Sequence, residues 1–284
     1  MRIRIVSPSG AVDPQYIDNA VNVLQSWGHE VSVAANAYNQ YGRFAGTKEE
    51  RISDLNVAFI DENVDVILCS RGGYGLAQII DNIKPTRKTV IGFSDITCLH
   101  QLMQTMQTPS LHAPMTKHIS TWQQQSYSLT ALRQILDGKT VVYQTPTGKL
   151  SRTGVAKGIL RGGNLSVLYG LQGTDYRLIA DNSLLFIEDI SERHYHIDRM
   201  MQNLRLSGVM GKISGLIVGQ FTDCADDPMM QTSIKQTILN ATEGYSYPVL
   251  FDFPAGHAEP NLPLWLGRKH QLTVRKRKSK LELI

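Results

Sequence analysis

Apolar and polar positions along the first half of the chain repeat one order: a short apolar run, a turn, then apolar residues three and four apart. Ile3 to Ser7 predicts a short buried strand and Ser7-Pro8-Ser9-Gly10 a turn. After Pro14, the spacing of Ile17, Ala20, Val21 and Leu24 predicts a helix that Gly28 stops. Val31 to Ala35 predicts a second strand, and Asn36 to Gly46 a polar loop carrying Tyr38, Tyr41 and Phe44. Thr47 with Glu50 reads as a capping box, opening a helix whose buried face is Ile52, Leu55 and Phe59. Val64 to Cys69 predicts a third strand, followed by the glycine-rich turn Ser70-Arg71-Gly72-Gly73-Tyr74-Gly75 and a helix through Ile79, Ile80 and Ile83. The fourth strand, Thr89 to Phe93, runs straight into Ser94, and Ile96, Leu99, Leu102, Met103 and Met106 predict the helix beyond it. Four such alternations imply parallel strands with helices on both faces. In such a sheet the C-terminal strand ends share one edge, where ligands bind. The loops Ser7–Gly10, Ser70–Gly75 and Ser94–Asp95 all open on that edge.

Leu111 to Met115 predicts another strand end, and Leu129, Leu132, Ile135 and Leu136 a helix closed by Asp137-Gly138. Residues 140–153 are polar, contain Pro146 and Gly148, and lack a clear apolar face. They read as a linker between a first domain, 1–139, and a second, 154–284. The second half differs in texture. Gly154 to Leu160 predicts a strand, Arg161-Gly162-Gly163-Asn164-Leu165-Ser166 a turn into a short helix through Leu168 and Leu171, and Ser183 to Ile190 a strong strand ending in Glu188-Asp189. Ile197, Met200, Met201 and Leu204 mark a helix ended by Gly208. Ile213 to Phe221 is a strand, Ile234 to Ile238 lies on a helix, and the strand Pro248 to Phe253 empties into Pro254-Ala255-Gly256-His257. Leu264 to Ile284 predicts two or three antiparallel strands. The expected fold class is α/β: an N-terminal, mostly parallel, doubly wound sheet with a nucleophile elbow, plus a β-rich C-terminal α/β domain.

Length and composition refine this reading only slightly. At 284 residues two domains are expected, and 42% hydrophobic with 19% charged residues is ordinary for a soluble globular protein. The net charge of +4 is unevenly placed: Arg268 to Lys280 holds seven Lys or Arg and no acid, so the rest is mildly acidic. No aromatic residue interleaves those charges to stack on bases, so they read as a solvated strand pair rather than a nucleic-acid surface. Cys69, Cys98 and Cys224 form no C-x-x-C and read as free thiols. No apolar run approaches 18 residues and no signal-peptide core follows Met1, so no membrane span and a cytoplasmic location are expected.

Candidate chemistry centres on Ser94. A strand-to-helix turn lifts a side chain above the sheet edge, beside backbone N–H groups that the first helical turn leaves without partners. The full G-x-S-x-G elbow is not met: Gly92 is present, but Ile96 stands where the second glycine would be. A helix N-cap is therefore the competing reading of Ser94. A serine nucleophile needs a base that titrates near neutrality, with a partner to orient it. Among eight histidines, His257 stands out because it lies in a loop just past a strand. His29 is expected exposed at a helix end, His100 lies on the helix after Ser94, His194 and His196 open a helix, and His270 sits in the basic tail. Glu188 ends an apolar strand, where a carboxylate is costly unless paired, so it either pairs with Arg193 or Arg199 or orients a histidine. Glu188, Asp189, Glu192, His194, His196 and Asp198 together have a metal-ligand composition, but residues two apart on a helix face away from each other. The Gly72-Gly73-Tyr74-Gly75 loop matches no phosphate-binding pattern; it reads as a tight turn, a backbone N–H nest, or both.

Five segments occur in order: Ser70-Arg71-Gly72-Gly73-Tyr74-Gly75; Ile91-Gly92-Phe93-Ser94-Asp95-Ile96-Thr97; Gly162-Gly163-Asn164-Leu165; Leu185-Phe186-Ile187-Glu188-Asp189 with Ile197-Asp198-Arg199-Met200; and Gly256-His257. With these the chain resembles the LD-carboxypeptidases (muramoyltetrapeptide carboxypeptidases), serine peptidases of bacterial murein recycling, nearly end to end. The resemblance implies a catalytic triad of Ser94, Glu188 and His257, with the nucleophile in the first domain and the other two in the second. It implies an oxyanion hole from the backbone N–H groups of Asp95 and Gly73, release of terminal D-Ala from a cytoplasmic murein tetrapeptide, no metal or other cofactor, and a homodimer. Arg71 is a candidate for the substrate's terminal carboxylate, which a guanidinium matches bidentately; a structural ion pair is the alternative. His194 has no place in the family pattern. A sister group hydrolyses microcin-type peptidyl nucleotides. The rivals from other classes are a non-catalytic small-ligand binding module on the same sheet edge, a metal-dependent amidase built on Glu188 to Asp198, and a DNA-binding tail.

Overall fold

The apolar runs of the first half form strands and the periodic segments form helices: β1 (Arg2–Val6), α1 (Pro14–Ser26), β2 (Glu30–Val33), α2 (Lys48–Ile60), β3 (Val66–Cys69), β4 (Thr89–Gly92), α3 (Thr97–Thr105), β5 (Ser110–His112), α4 (Thr116–Thr121) and α5 (Tyr127–Leu136). This is a computed structural model, which describes residues 1–284. The pairs β1–β2, β1–β3, β3–β4 and β4–β5 are all parallel. The strand order is β2-β1-β3-β4-β5, so the direction of winding reverses between β1 and β3. Ligands bind at such a reversal, outside the strand C-terminal ends, and the Ser7–Gly10 and Ser70–Gly75 loops flank it. Local signals act as expected. Asp13 caps α1 by accepting from Gln15 N, with Pro14 at the first position. In the α2 capping box, Thr47 N donates to Glu50 Oε2 at 2.7 Å and Glu50 N donates to Thr47 Oγ1.

One expected helix of this half is absent. Ile79, Ile80 and Ile83 are buried, but the segment forms only two one-turn 3₁₀ helices, Leu76–Gln78 and Ile80–Asn82, with Ile79 between them and Ile83 just after the second. Ile79, at φ −127° and ψ −9°, breaks helical geometry between the two turns, and Pro85 disfavours the α region for the residue before it.

The second half comprises β6 (Tyr143–Pro146), β7 (Gly154–Asn164), α6 (Leu165–Leu171), β8 (Ser183–Ile190), α7 (His194–Leu206), β9 (Gly215–Thr222), α8 (Ile234–Asn240), β10 (Val249–Leu250), β11 (Leu264–Leu266), β12 (Lys269–Val274) and β13 (Lys278–Leu283). Seven of these strands form one sheet, in the order β10-β9-β8-β7-β12-β13-β6. The β7–β8–β9–β10 side is parallel; β7–β12, β12–β13 and β13–β6 are antiparallel. Leu185, Ile187, Met200, Met201, Leu204 and Ile238 belong to one core cluster between sheet and helices.

The chain divides into two units, Met1–Lys139 with Leu262–Trp265, and Thr140–Asn261 with Leu266–Ile284. Two elements lie elsewhere than the sequence suggests. Residues 140–153, expected as a linker, contain β6, which pairs with β13 at the sheet edge. The third strand of the expected C-terminal antiparallel group, β11, instead extends the first sheet beside β5. Arg161 to Asn164, expected as a turn, continues β7. Gly162 makes this possible: it sits at φ +122°, and a Cβ there would lie 1.9 Å from the Phe186 carbonyl oxygen. The strand expected over Pro248 to Phe253 shrinks to two residues. Cys69 and Cys98 are buried, Cys224 is partly buried, and all three are free. The basic run Arg275–Lys278 is exposed at the β12–β13 turn, while Leu272, Val274 and Leu281 of the same strands are buried. No helix is long and apolar enough to cross a membrane.

Candidate active site

β4 delivers Ser94 to the end of the first sheet in a conformation that few residues adopt. Ser94 has φ +66°, in the left-handed region. It begins a 3₁₀ turn, Ser94–Ile96, whose N-cap position belongs to Phe93 and which has no side-chain cap. The N-cap reading of Ser94 therefore fails, and a strained, partly exposed serine at a strand-to-helix elbow remains. Gly92 supplies the close approach the elbow needs, since a Cβ there would lie 2.8 Å from Ile96 Cγ1.

The glycine-rich loop packs directly on this serine. A Cβ on Gly72 would lie 2.8 Å from Ser94 Cβ and 3.1 Å from Ser94 Oγ. Gly73 and Gly75, at φ +109° and +136°, take conformations suited to glycine. Gly10 N donates to Gly72 O at 3.1 Å, joining the loop after β1 to the loop after β3. Asp95, whose backbone N–H the resemblance places in an oxyanion hole, ties the turn together through its side chain. The buried carboxylate accepts from Ser9 Oγ, and from Leu76 N at 3.1 Å. Burial raises its pKa; the Ser9 and Leu76 bonds and the Arg51 charge oppose that rise. Arg51, only 2% exposed, donates from Nη1 to Pro8 O at 3.0 Å and to Gly75 O at 3.1 Å, with its guanidinium over the Phe44 ring. Ser9 and Arg51 were missed from sequence. The one hint for Arg51 is that it stands four residues before Leu55, on the helix face that α2 buries.

In the second unit, His257 Nδ1 and Glu188 Oε2 lie 2.7 Å apart. Glu188 is fully buried and the His257 side chain is 13% exposed. The choice left open for Glu188 thus resolves in favour of a histidine over Arg193 or Arg199. Burial alone would lower the His257 pKa. The Glu188 charge and hydrogen bond, with the Asp189 charge, outweigh it and raise the imidazole above the usual histidine value. Asp189 is itself pushed up to about 7 by burial and by Glu188, against bonds from Ile190 N, Asn164 Nδ2 and Ser166 N.

The remaining candidates have other partners. Arg71 is exposed and donates from Nη1 to the Ala11 carbonyl at 2.7 Å, so its partner is not the carboxylate of an ion pair. His194 is buried, with Nε2 at 2.8 Å from Thr237 Oγ1 and Nδ1 accepting from Asp227 N. His196 pairs with Glu192, so the acid- and histidine-rich segment does not converge: no group of three or more His, Cys, Asp or Glu side chains comes together to hold a metal ion. His29, expected exposed, is 8% exposed, and His100 and His270 are also buried.

A model of the LD-carboxypeptidase N-terminal domain matches residues 3–113, and one of the LD-carboxypeptidase C-terminal domain matches residues 157–272. The chain therefore belongs to the LD-carboxypeptidase family of serine peptidases. It is 33% identical to a protein of Synechocystis sp. named as a carboxypeptidase, over 95% of this chain and 91% of that one. It is 29% identical to a Bacillus subtilis protein named as a probable murein peptide carboxypeptidase, over 99% and 91% of the two chains. It is 26% identical to the murein tetrapeptide carboxypeptidase of Pseudomonas aeruginosa, over 92% and 89%. The fold matches the crystal structure of muramoyltetrapeptide carboxypeptidase from Oxalobacter formigenes with a TM-score of 0.87 at 24% identity, covering 100% and 98% of the chains. It matches the microcin C7 self-immunity protein MccF, in a complex with glutamyl sulfamoyl guanosine, with a TM-score of 0.87 at 19% identity, covering 100% and 96%.

Proposed function

We propose that this protein is a serine LD-carboxypeptidase that removes terminal D-Ala from a murein tetrapeptide in cytoplasmic peptidoglycan recycling, with Ser94, His257 and Glu188 as its triad. The observation that carries the reading is the buried Glu188–His257 pair, whose 2.7 Å bond holds the imidazole through Nδ1; in this reading Nε2 serves the nucleophile. The strained Ser94 elbow and the murein-directed names of relatives matched over nearly the whole chain support it.

In the proposed mechanism, Ser94 Oγ attacks the carbonyl carbon of the bond to D-Ala while its proton passes to His257 Nε2. Glu188 stabilises the resulting imidazolium. The backbone N–H groups of Asp95 and Gly73 take the oxyanion, a contribution of about 3 kcal/mol per donor. Collapse breaks the C–N bond, and His257 returns the proton to the leaving D-Ala amine. A water, deprotonated by His257, then hydrolyses the acyl-Ser94 ester. Arg71 is exposed and adjoins Gly72, which packs on Ser94, and we assign its guanidinium to the substrate's terminal carboxylate.

The test is mass-spectrometric release of D-Ala from synthetic L-Ala-γ-D-Glu-diamino acid-D-Ala. Wild type should release it, Ser94→Ala should lose turnover by a factor on the order of 10⁴ or more with its fold intact, and Arg71→Ala should raise KM. Wild-type turnover in Ser94→Ala would end the proposal. The match to MccF favours one second reading, hydrolysis of a peptidyl or aminoacyl nucleotide. Turnover of such a substrate in the same assay, without D-Ala release, would select it.

A further inference from the structure

Between the register pairs Ile187–Val218 and Asp189–Phe221, β8 has one residue, Glu188, where β9 has two, Gly219 and Gln220. This is a bulge in a parallel pair, an uncommon feature that re-aims side chains. Gly219 lies under Glu188: a Cβ there would sit 3.2 Å from Glu188 Cβ and 2.4 Å from the Ala255 carbonyl oxygen. The extra residue, Gln220, engages the loop that carries His257 on both sides of the histidine. Its backbone N donates to Ala255 O at 2.9 Å. Its Oε1 accepts from Ala258 N at 2.9 Å, and its Nε2 donates to Pro260 O at 3.0 Å. Gly256, at φ +146°, brings the loop so near that a Cβ there would lie 2.9 Å from Gln220 Cβ.

We infer that Gln220 is a positioning residue: its amide side chain holds the 255–260 loop on the β9 bulge so that His257 Nδ1 stays on Glu188. One irregularity in β9 thereby serves both partners, seating the carboxylate on Gly219 and tethering the imidazole loop through Gln220. The assignment of a catalytic consequence rests on the peptidase reading above; the tether itself does not.

Gln220 borders a cavity of about 670 Å³, also lined by Phe221, Ile234 and Pro254, rather than closed core, so Gln220→Leu removes both side-chain bonds without leaving a buried hole. In Gln220→Leu, kcat should fall about ten- to a hundredfold with KM within about twofold of wild type. Amide exchange at Ala258 should quicken by about tenfold or more. The His257 ring, on which Glu188 and Asp189 are the charged groups that act, should titrate at lower pH as its bond to Glu188 loosens. Gln220→Glu, which can still accept from Ala258 N but cannot donate to Pro260 O, should keep Ala258 protected and recover part of kcat. It also serves if the leucine variant fails to fold. Should wild type release no D-Ala, the peptidase reading fails while Ala258 exchange and the His257 titration still decide the tether. Unchanged Ala258 exchange in a folded Gln220→Leu overturns the proposal, and so does quickened exchange that leaves kcat and the His257 titration at wild-type values.

Discussion

Ser94 and His257 are each held in a state that an isolated residue would leave. A non-glycine residue in the left-handed region costs about 1–3 kcal/mol. Ser94 is kept there by surroundings that over-determine it: Gly72 against its side chain, Ile96 on Gly92, and the Asp95 carboxylate bonded to Ser9 and Leu76 N. At His257 the competition is between burial, which favours neutral imidazole, and the carboxylates Glu188 and Asp189, which favour the cation and prevail. Glu188 is buried, and its Oε2 makes the bond to the histidine. As the proposed general base His257 must be neutral, and a raised pKa means protonation persists to higher pH, so kcat/KM should rise through a midpoint above 6.5. Because burial and the Glu188 charge push Asp189 up to about 7, and it interacts with the same pair, that limb should be broader than a single ionisation. Asp189→Asn removes a charge that raises His257, so the limb should sharpen and move to lower pH. A kcat/KM profile with the wild-type limb in that variant would remove Asp189 from the account.

At the scale of elements, capping and spacing decide where helices begin, and glycine decides where strands can touch. The Thr47–Glu50 box and Pro14 behave as local chemistry requires, because a helix start is satisfied within one turn. The Gly162-Gly163 segment does not read as strand, since glycine disfavours one; its strand conformation comes from the contact with β8, which no local signal encodes. The same substitution should therefore have opposite signs at two glycines. Gly162→Ala places a Cβ 1.9 Å from a backbone oxygen at a positive φ, and should cost about 3 kcal/mol or more, or abolish folding. Gly170→Ala lies in α6 with nothing within 4 Å of the new Cβ, and should stabilise by about 0.5–1 kcal/mol. Thermal or denaturant unfolding of the two variants checks both.

At the scale of the molecule, the first unit is not contiguous in sequence. Its sheet is completed beside β5 by β11, which arrives more than a hundred residues later with Leu262 and Leu264 buried. A fragment of residues 1–139 should therefore expose the edge of β5 and self-associate. Appending residues 260–267 through a flexible linker should restore a monomer in sedimentation, and equal behaviour of the two fragments would show that β11 is dispensable. The pattern places the boundary after Lys139 because local periodicity ends there. It has no means of returning a three-residue strand to an earlier sheet, since strand pairing is a non-local choice.

What the chain specifies locally could be read locally: the alternation of strand and helix, the caps, the elbow at Ser94, and Glu188 near the end of an apolar strand. The β9 bulge, the Gln220 bonds that hold the His257 loop, the Arg51 guanidinium among three backbone carbonyls, and the bond between residues 188 and 257 exist only once distant segments meet. The reason is physical: hydrophobic periodicity and capping are short-range and leave a repeating mark in sequence, whereas the hydrogen bonds and steric gaps that position a catalytic group depend on which backbone happens to lie opposite, and folding alone determines that.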